Sequence, residues 1–199
     1  MQLKATNLTC ERGGRTVFRD VSLTLAAGQL MQLSGPNGSG KSSLLRLIAG
    51  LNESEGGALS LEGGHADLAI GQQAHYIAHQ EAVKTALTVF ENLAFWRDFL
   101  GGGDVDEALG AFDLARLSSY PAGLLSAGQK RRLGLARLVL IPRVLWLLDE
   151  PTVGLDAASL ERLVGVMTSH LEKGGMIIAA THVPLGRAPD ARLELGKAA

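Results

Sequence analysis

The segment Gly35–Ser42 places two glycines, a lysine and a serine at the fixed positions of the pattern G-x-x-x-x-G-K-[ST], with a third glycine, Gly38, between them. Glycines at these positions let backbone N–H groups converge on phosphate oxygens at the positive end of a following helix. Lys41 is placed for the β and γ phosphates of a nucleotide, and the Ser42 hydroxyl for magnesium. We therefore predict a nucleotide-binding loop that uses Gly35, Pro36, Asn37, Gly38, Ser39, Gly40, Lys41, Ser42 and Ser43.

The flanks of this loop have the strand and helix that such a loop needs. Gln29–Leu33 is typical of a short buried strand, and apolar residues then recur at helical spacing until Gly50 can end the helix. This context favours a phosphate-binding loop over the alternative, a glycine-rich connector.

Two acids follow a second apolar run, Val144–Leu148. A parallel sheet presents its ligand site at the carboxyl ends of its strands. We predict that Asp149 holds magnesium, directly or through water, and that Glu150 accepts a proton from the water that attacks the γ phosphate. The alternative, a strand that ends in solvated charges, is common where no phosphate loop is present.

Leu125-Ser126-Ala127-Gly128-Gln129 opens a further helix, whose first N–H groups form a second anion site. With these residues the chain resembles the ATP-binding-cassette ATPases, whose signature is Leu-Ser-Gly-Gly-Gln. The order of the other motifs also matches over essentially the whole chain. The resemblance implies an ATPase with ATP and Mg²⁺, and a homodimer in the ATP-bound state. In it Ser126, Gly128 and Gln129 would close on the ATP of the second copy.

Three further residues match the family pattern one at a time. The resemblance implies that Gln80 senses magnesium and the attacking water, that Asp156 contacts the opposite subunit and that His182 touches the γ phosphate. Taken alone, each has an ordinary structural alternative: a surface glutamine, a helix cap and a structural histidine. Their shared order favours the functional reading.

Two positions depart from the family pattern. Arg12 stands where many cassettes have an aromatic residue that stacks on adenine, and a guanidinium plane can also stack on a purine. Ala127 replaces the middle glycine of the signature, which is harmless only if its φ is negative.

The segment after His79-Gln80 is similar to that of the ATP-binding subunits of cytochrome c biogenesis systems, and so is the Ala127 form of the signature. The matching residues are Val83-Lys84, Leu87-Thr88 and Glu91–Trp96. This resemblance implies haem export or delivery for c-type cytochromes, integral membrane partner subunits and a peripheral place on the cytoplasmic face of the bacterial inner membrane. Alternatives are an exporter of another small molecule, a factor acting on nucleic acid and a regulator without hydrolysis.

Length and composition set the remaining limits. The 199 residues suggest one α/β domain, and a net charge of -1 gives no basic face for nucleic acid. Cys10 is the single cysteine, which favours a reducing compartment. No stretch approaches the roughly 18 apolar residues of a membrane span, so we expect other chains to cross the membrane.

The predicted fold is a P-loop NTPase of ATP-binding-cassette type: a RecA-like parallel-sheet core, an N-terminal antiparallel β lobe and an inserted helical subdomain. We assign 1–80 and 141–199 to the core and β lobe, and about 81–140 to the helical subdomain. Predicted elements include a hairpin over 3–25, short strands and turns over 53–71, helices over 89–99, 105–116 and 126–140, a helix lined by Leu160–Leu171, and a strand over 176–180.

Two other patterns are read as structural. His75 and His79 have the ligand spacing of a helix, but they lie in an alternating, extended segment, which disfavours a metal or haem pair. Lys130–Arg132 is read as the solvated face of the signature helix rather than a nucleic-acid site.

Overall fold

A computed structural model describes residues 1–196, which form two sheets and five α-helices. The strands are β1 (Gln2–Arg12), β2 (Arg15–Ala26), β3 (Leu30–Ser34), β4 (Gly56–Glu62), β5 (Ala74–Ile77), β6 (Leu145–Asp149), β7 (Met176–Ala180) and β8 (Ala191–Glu194). The α-helices are α1 (Lys41–Ile48), α2 (Val89–Leu100), α3 (Val105–Ala111), α4 (Ala127–Leu140) and α5 (Ala157–Glu172). These elements confirm the predicted α/β class.

The first sheet is antiparallel, with the order β2-β1-β4. It contains the predicted N-terminal hairpin, whose strands pair from Gln2 with Ala26 to Arg12 with Arg15. Alternate residues such as Leu3 and Leu25 are buried, as expected for a sheet with one covered face. Within 53–71 a single strand, β4, forms and pairs with β1.

The second sheet is parallel, with the order β5-β6-β7-β3-β8. β6 and β7 are buried at every residue, which explains their continuous apolar sequences. β8 was not predicted. It lies at the edge of the sheet with alternating burial, so its sequence lacks the apolar run of a covered strand, and the Leu195 N–H donates to Ser34 O at 2.9 Å.

Two apolar clusters cover the two faces of this sheet. On one face Leu145 and Leu147 pack with α1, and on the other Trp146 and Leu148 pack with the helices of the middle segment. Alternation along β6 therefore sends Asp149 to the same face as Leu147. This is the face on which the phosphate loop starts its helix.

The middle segment is helical, and α2 and α3 pack against α4. Thr88 and Glu91 form the predicted capping box of α2, whereas Asp104 caps α3 alone by accepting from the Asp106 and Glu107 N–H groups. The prediction that this helix reaches residue 116 was wrong. It ends at Ala111 because Asp113 takes a left-handed conformation (φ 54°).

The two other long helices start and end close to their predicted limits. Ser126 is the N-cap of α4, and Leu163, Met167 and Leu171 form the buried stripe of α5. No helix within residues 1–196 has both the length and the apolar composition to span a bilayer. The division at 81 and 140 stays a prediction.

Candidate functional site

The predicted phosphate loop joins β3 to α1, and its glycines are held by close contacts. Gly40 has φ 96° and caps α1, whose first residue is Lys41. A Cβ at Gly40 would lie 2.8 Å from Val17 Cγ1 and 2.8 Å from Phe18 Cδ1 of the N-terminal sheet. A Cβ at Gly35, where φ is 134°, would lie 2.2 Å from Leu195 O. Glycine is therefore required at both positions for conformation and for space.

The Lys41 side chain folds back onto the phosphate loop. It is largely buried, and Nζ donates to Gly35 O at 2.8 Å and to Pro36 O at 3.1 Å. The Lys41 ammonium thus lies against the carbonyls of the loop at the N-terminus of α1, and a glycine-rich loop with a lysine at a helix N-terminus is the arrangement that binds phosphate.

The two predicted acids end β6 beside this loop. Asp149 is 5% exposed, and Glu150 has a left-handed backbone with φ 48°. The Glu150 N–H donates to Ala180 O at 2.8 Å, which ties it to the end of β7. His182 follows β7, and its Nε2 lies 3.8 Å from Glu150 Oε1. The structure thus brings Glu150 and His182 together at the carboxyl edge of the sheet.

Behind Asp149 lie two polar residues that the sequence analysis did not single out. Tyr76 on β5 is opposite Leu147, hence on the same face as Asp149. The Tyr76 hydroxyl accepts from Arg46 Nε at 3.3 Å. Burial, foremost, and the nearby Asp149 carboxylate raise the pKa of Tyr76, while Arg46 lowers it.

Ser42 and Asp149 supply the kind of ligand that Mg²⁺ prefers. Both present oxygen atoms, from the first turn of α1 and from the end of β6, and α1 packs against β6. Within residues 1–196 no group of three or more His, Cys, Asp or Glu could form a complete metal cage. Two oxygen ligands from the protein are sufficient for Mg²⁺, because this ion fills its other coordination positions with waters and with phosphate oxygens of the substrate.

Gln80 lies three residues beyond β5, in an exposed bend rather than directly at the strand end. It lines a groove of about 350 Å³ between the parallel sheet and the helical segment, together with Glu81, Trp96 and Arg137. The Arg137 guanidinium stacks 3.7 Å above the Trp96 ring, and burial lowers the pKa of Arg137 to about 10. The groove thus combines apolar side chains with a partly buried cation.

The signature residues head α4 on an exposed surface. The Ser126 hydroxyl accepts from the Gln129 N–H at 3.2 Å, and Gln129 Oε1 accepts from the Ser126 N–H at 2.8 Å. These bonds form a capping box that holds the helix start rigid. Ala127 has no positive φ, so its replacement of glycine introduces no backbone strain.

The loop before α5 lies against the signature. A Cβ at Gly128 would be 2.9 Å from Gly154 O, so the two segments are in direct contact. Asp156 caps α5 by accepting from the Ser159 N–H at 2.8 Å, and this hydrogen bonding lowers the pKa of Asp156. The capping alternative for Asp156 is therefore what the structure shows, while Asp156 and the signature still share one surface.

Arg131 corrects the prediction of a solvated basic face on α4. Its side chain is 3% exposed and extends toward the end of β6. The signal was present in the sequence, because Arg131 shares the i, i+3, i+4, i+7 stripe of α4 with the buried Gly134, Leu135 and Leu138. Arg132 is partly exposed and donates to Phe112 O at 3.0 Å, which helps to end α3.

Two further positions from the sequence analysis lie on the β1–β2 hairpin and on β5. Arg12 is exposed at the tip of the β1–β2 hairpin. His75 is in strand β5, as the alternating pattern predicted, and donates from Nε2 to Ile141 O at 2.7 Å. A cavity of about 740 Å³ lies at the opposite, amino edge of the parallel sheet, lined by Val144, Trp146 and Gly175, so this cavity is not the phosphate site.

The comparisons with known proteins agree with this geometry. A family model described as ABC transporter matches residues 18–153. The cytochrome c biogenesis ATP-binding export protein CcmA of Nitrobacter winogradskyi is 51% identical, with 100% of each chain covered. The protein of the same name from Mesorhizobium japonicum is 54% identical over 94% of each chain. The chain belongs to the ABC transporter family, within its cytochrome c biogenesis group.

Solved ABC proteins share the fold over nearly the whole chain. An ATP-binding subunit of an ABC transporter superposes with a TM-score of 0.88 at 27% identity, covering 98% of this chain and 86% of that one. An ATP-binding cassette solved as a dimer in a post-hydrolysis state, with ADP and phosphate bound, superposes with a TM-score of 0.83 at 25% identity over 97% and 94%. The predictions of family, fold and ATPase activity are confirmed, and ATP is the nucleotide of this ABC ATPase.

Proposed function

We propose that this ABC ATPase hydrolyses ATP as a subunit of a membrane complex that exports or delivers haem for c-type cytochromes. Full-length similarity to cytochrome c biogenesis export proteins supports the pathway. The main structural support for ATP hydrolysis is the pair Glu150 and His182, whose Oε1 and Nε2 atoms lie 3.8 Å apart beside the phosphate loop and the buried Asp149.

The residues divide the chemistry of γ-phosphate transfer to water. Lys41 neutralises the phosphates, together with backbone N–H groups of Gly35–Ser43. Glu150 accepts the proton of the attacking water, and His182 orients the γ phosphate from the neighbouring strand end. Ser42 and Asp149 would hold Mg²⁺ and Gln80 would sense it; when bound, the ion would neutralise charge at the phosphate oxygens.

ATP would join two copies of the chain. Ser126, Gly128 and Gln129 occupy an exposed helix start beside Asp156, so one surface carries both groups proposed to act on the second copy. A helix N-terminus binds anions, and one γ phosphate could bridge it to the partner's phosphate loop. Arg12, at the hairpin tip, is proposed to stack on the adenine.

Integral membrane subunits would bind beside Gln80. The groove of Gln80, Trp96 and Arg137 is open, and it adjoins a residue proposed to sense hydrolysis. A membrane subunit bound in this groove would contact Gln80 and would receive directly the conformational change that accompanies hydrolysis. In this proposal the chain is a peripheral subunit on the cytoplasmic face of the inner membrane.

Hydrolysis could move haem itself or release a haem-loaded chaperone from the membrane complex. Both use the same ATPase residues, and haem flux measured in reconstituted vesicles separates them. Flux that depends on ATP would establish transport, and chaperone release without flux would establish the second mechanism.

The test of the proposed function uses cells whose only copy carries Lys41→Ala. Covalently bound haem in c-type cytochromes is measured by haem-stained gel, with membrane b-type haem as control. We expect c-type haem to disappear while b-type haem is unchanged. Normal c-type haem would show that this ATPase serves an exporter of another small molecule.

A further inference from the structure

Arg131 has an unusual environment for a residue in a run of basic residues. Its guanidinium is buried, although burying a charge is unfavourable unless partners compensate. The nearest carboxylate, Glu81, is 3.7 Å away and itself partly exposed. Burial lowers the pKa of Arg131, and the charge of Glu81 partly offsets this. Most of the compensation must therefore come from hydrogen bonds.

Four backbone carbonyls provide these bonds. Nη2 donates to Asp149 O at 3.1 Å and to Glu150 O at 2.7 Å, and Nε donates to Pro151 O at 3.3 Å. Nη1 donates to Ala78 O at 2.9 Å. The planar fork of an arginine can reach this many acceptors in a fixed geometry, and a lysine cannot.

The first three acceptors surround the proposed catalytic base. Glu150 has φ 48°, a conformation that non-glycine residues keep only where surrounding contacts enforce it. Three hydrogen bonds do so: its N–H donates to Ala180 O at 2.8 Å, and its C=O accepts from Arg131 Nη2 at 2.7 Å and from the Val153 N–H at 3.3 Å. Arg131 thus supplies the shortest of the three bonds that hold the backbone of Glu150, and the only one from a side chain.

The fourth acceptor joins Arg131 to the Gln80 segment. Ala78 precedes Gln80 by two residues, and Glu81 follows it directly. Arg131 itself lies on α4, whose first turn carries the signature. One guanidinium therefore contacts the segments of the signature, of Gln80 and of Glu150.

We propose that Arg131 is a positioning residue that holds Glu150 in its catalytic conformation and couples it to movements of α4 and the Gln80 segment. The inference rests on the proposed function, since it takes Glu150 as the base. When α4 moves on dimer closure, or the Gln80 segment moves on binding a membrane subunit, Arg131 moves with it. The carbonyls around Glu150, to which Arg131 donates, then shift as well. Hydrolysis then responds to both partners through one side chain.

The test compares Arg131→Lys and Arg131→Gln with the matched control Arg132→Lys, in the intact chain. We expect both Arg131 variants to lose about tenfold or more in kcat, with the KM for ATP within about threefold of the parent. Amide exchange of 149–153 should accelerate in them and stay unchanged in the control. Arg131→Lys keeps the charge, so it decides the question if Arg131→Gln does not fold.

Three results would overturn the inference. If Arg131→Lys keeps full kcat and normal amide exchange while Glu150→Gln is inactive, the proposed function stands and Arg131 has no positioning role. If Glu150→Gln itself keeps full turnover, the assignment of the base fails, and the role of Arg131 fails with it. An equal loss in Arg132→Lys would indicate general disruption of α4 and also contradicts the proposal.

Discussion

The imidazole Nε2 of His182 lies 3.8 Å from Glu150 Oε1, across the ends of β6 and β7. Parallel pairing of these strands, with Asp149 opposite Ala180, brings the two side chains together. Neither strand contains both residues, so the pair exists only because β6 and β7 are neighbours.

Glu150→Gln should bind ATP and accumulate as a dimer. Its rate of ATP hydrolysis should fall by a factor of about 10² or more, because an amide cannot accept the proton of the attacking water. Steady-state turnover and size-exclusion chromatography with ATP measure both effects. Glu161→Gln, an exposed position on α5, is the control. Unchanged turnover in Glu150→Gln would remove Glu150 from its proposed role.

Mixing two inactive variants should restore activity if the site is shared between copies. A Lys41→Ala chain has a defective phosphate loop, and a Ser126→Arg chain has a defective signature. Each mixed dimer then contains one intact composite site, so a mixture in equal amounts should recover about a quarter of the parent turnover. A mixture as inactive as its components would show that the signature does not act on the second copy.

Gly35→Ala should destabilise the protein more than Gly38→Ala. Both glycines have positive φ, but a Cβ at Gly35 would lie 2.2 Å from Leu195 O, whereas a Cβ at Gly38 has no atom within 4 Å. The difference in unfolding free energy should be about 1–3 kcal/mol, the usual cost of overpacking. Urea denaturation measures it, and equal stabilities would contradict the contact with Leu195.

Acidification should weaken the fold through His75. Burial, opposed by the bond to Ile141 O, lowers the pKa of His75 to about 4 from 6.5, so the unfolded chain binds a proton that the folded chain does not. The stabilising effect of a neutral His75 is complete above about pH 6.5 and falls as the pH drops toward about 4. From this residue we expect a loss of about 2 kcal/mol between pH 8 and pH 5.

The measurement is the free energy of unfolding at several pH values for the parent and for His75→Gln. The variant should show a shallower decline over this range. Part of the decline should persist, because burial also lowers the pKa of His170, which stacks on Trp146, to about 4. Identical pH profiles for the parent and the variant would contradict a buried, neutral His75.

Local patterns were sufficient for much of the fold. The hairpin, the phosphate loop between strand and helix, the capping box at Thr88 and the apolar strands β6 and β7 each follow from neighbouring residues. Edge strand β8 and the early end of α3 did not. Strand β8 depends on a distant segment, and the end of α3 combines the left-handed conformation of Asp113 with a contact from α4. Pairing with β3 defines β8, and Arg132 holds the carbonyl of Phe112 where α3 ends.

The sequence alone determined which chemical groups this protein has: a phosphate loop, two acids after a buried strand, a signature helix and a histidine after the last central strand. Motif spacing suffices for that because each motif is a short segment with its own local geometry. Tertiary structure decided how they meet. Strand order put His182 beside Glu150, and the packing of α4 buried Arg131 against four carbonyls. Such contacts depend on folding distant segments together: the helical spacing of Arg131 indicates that it is buried, but no local pattern encodes which carbonyls it contacts.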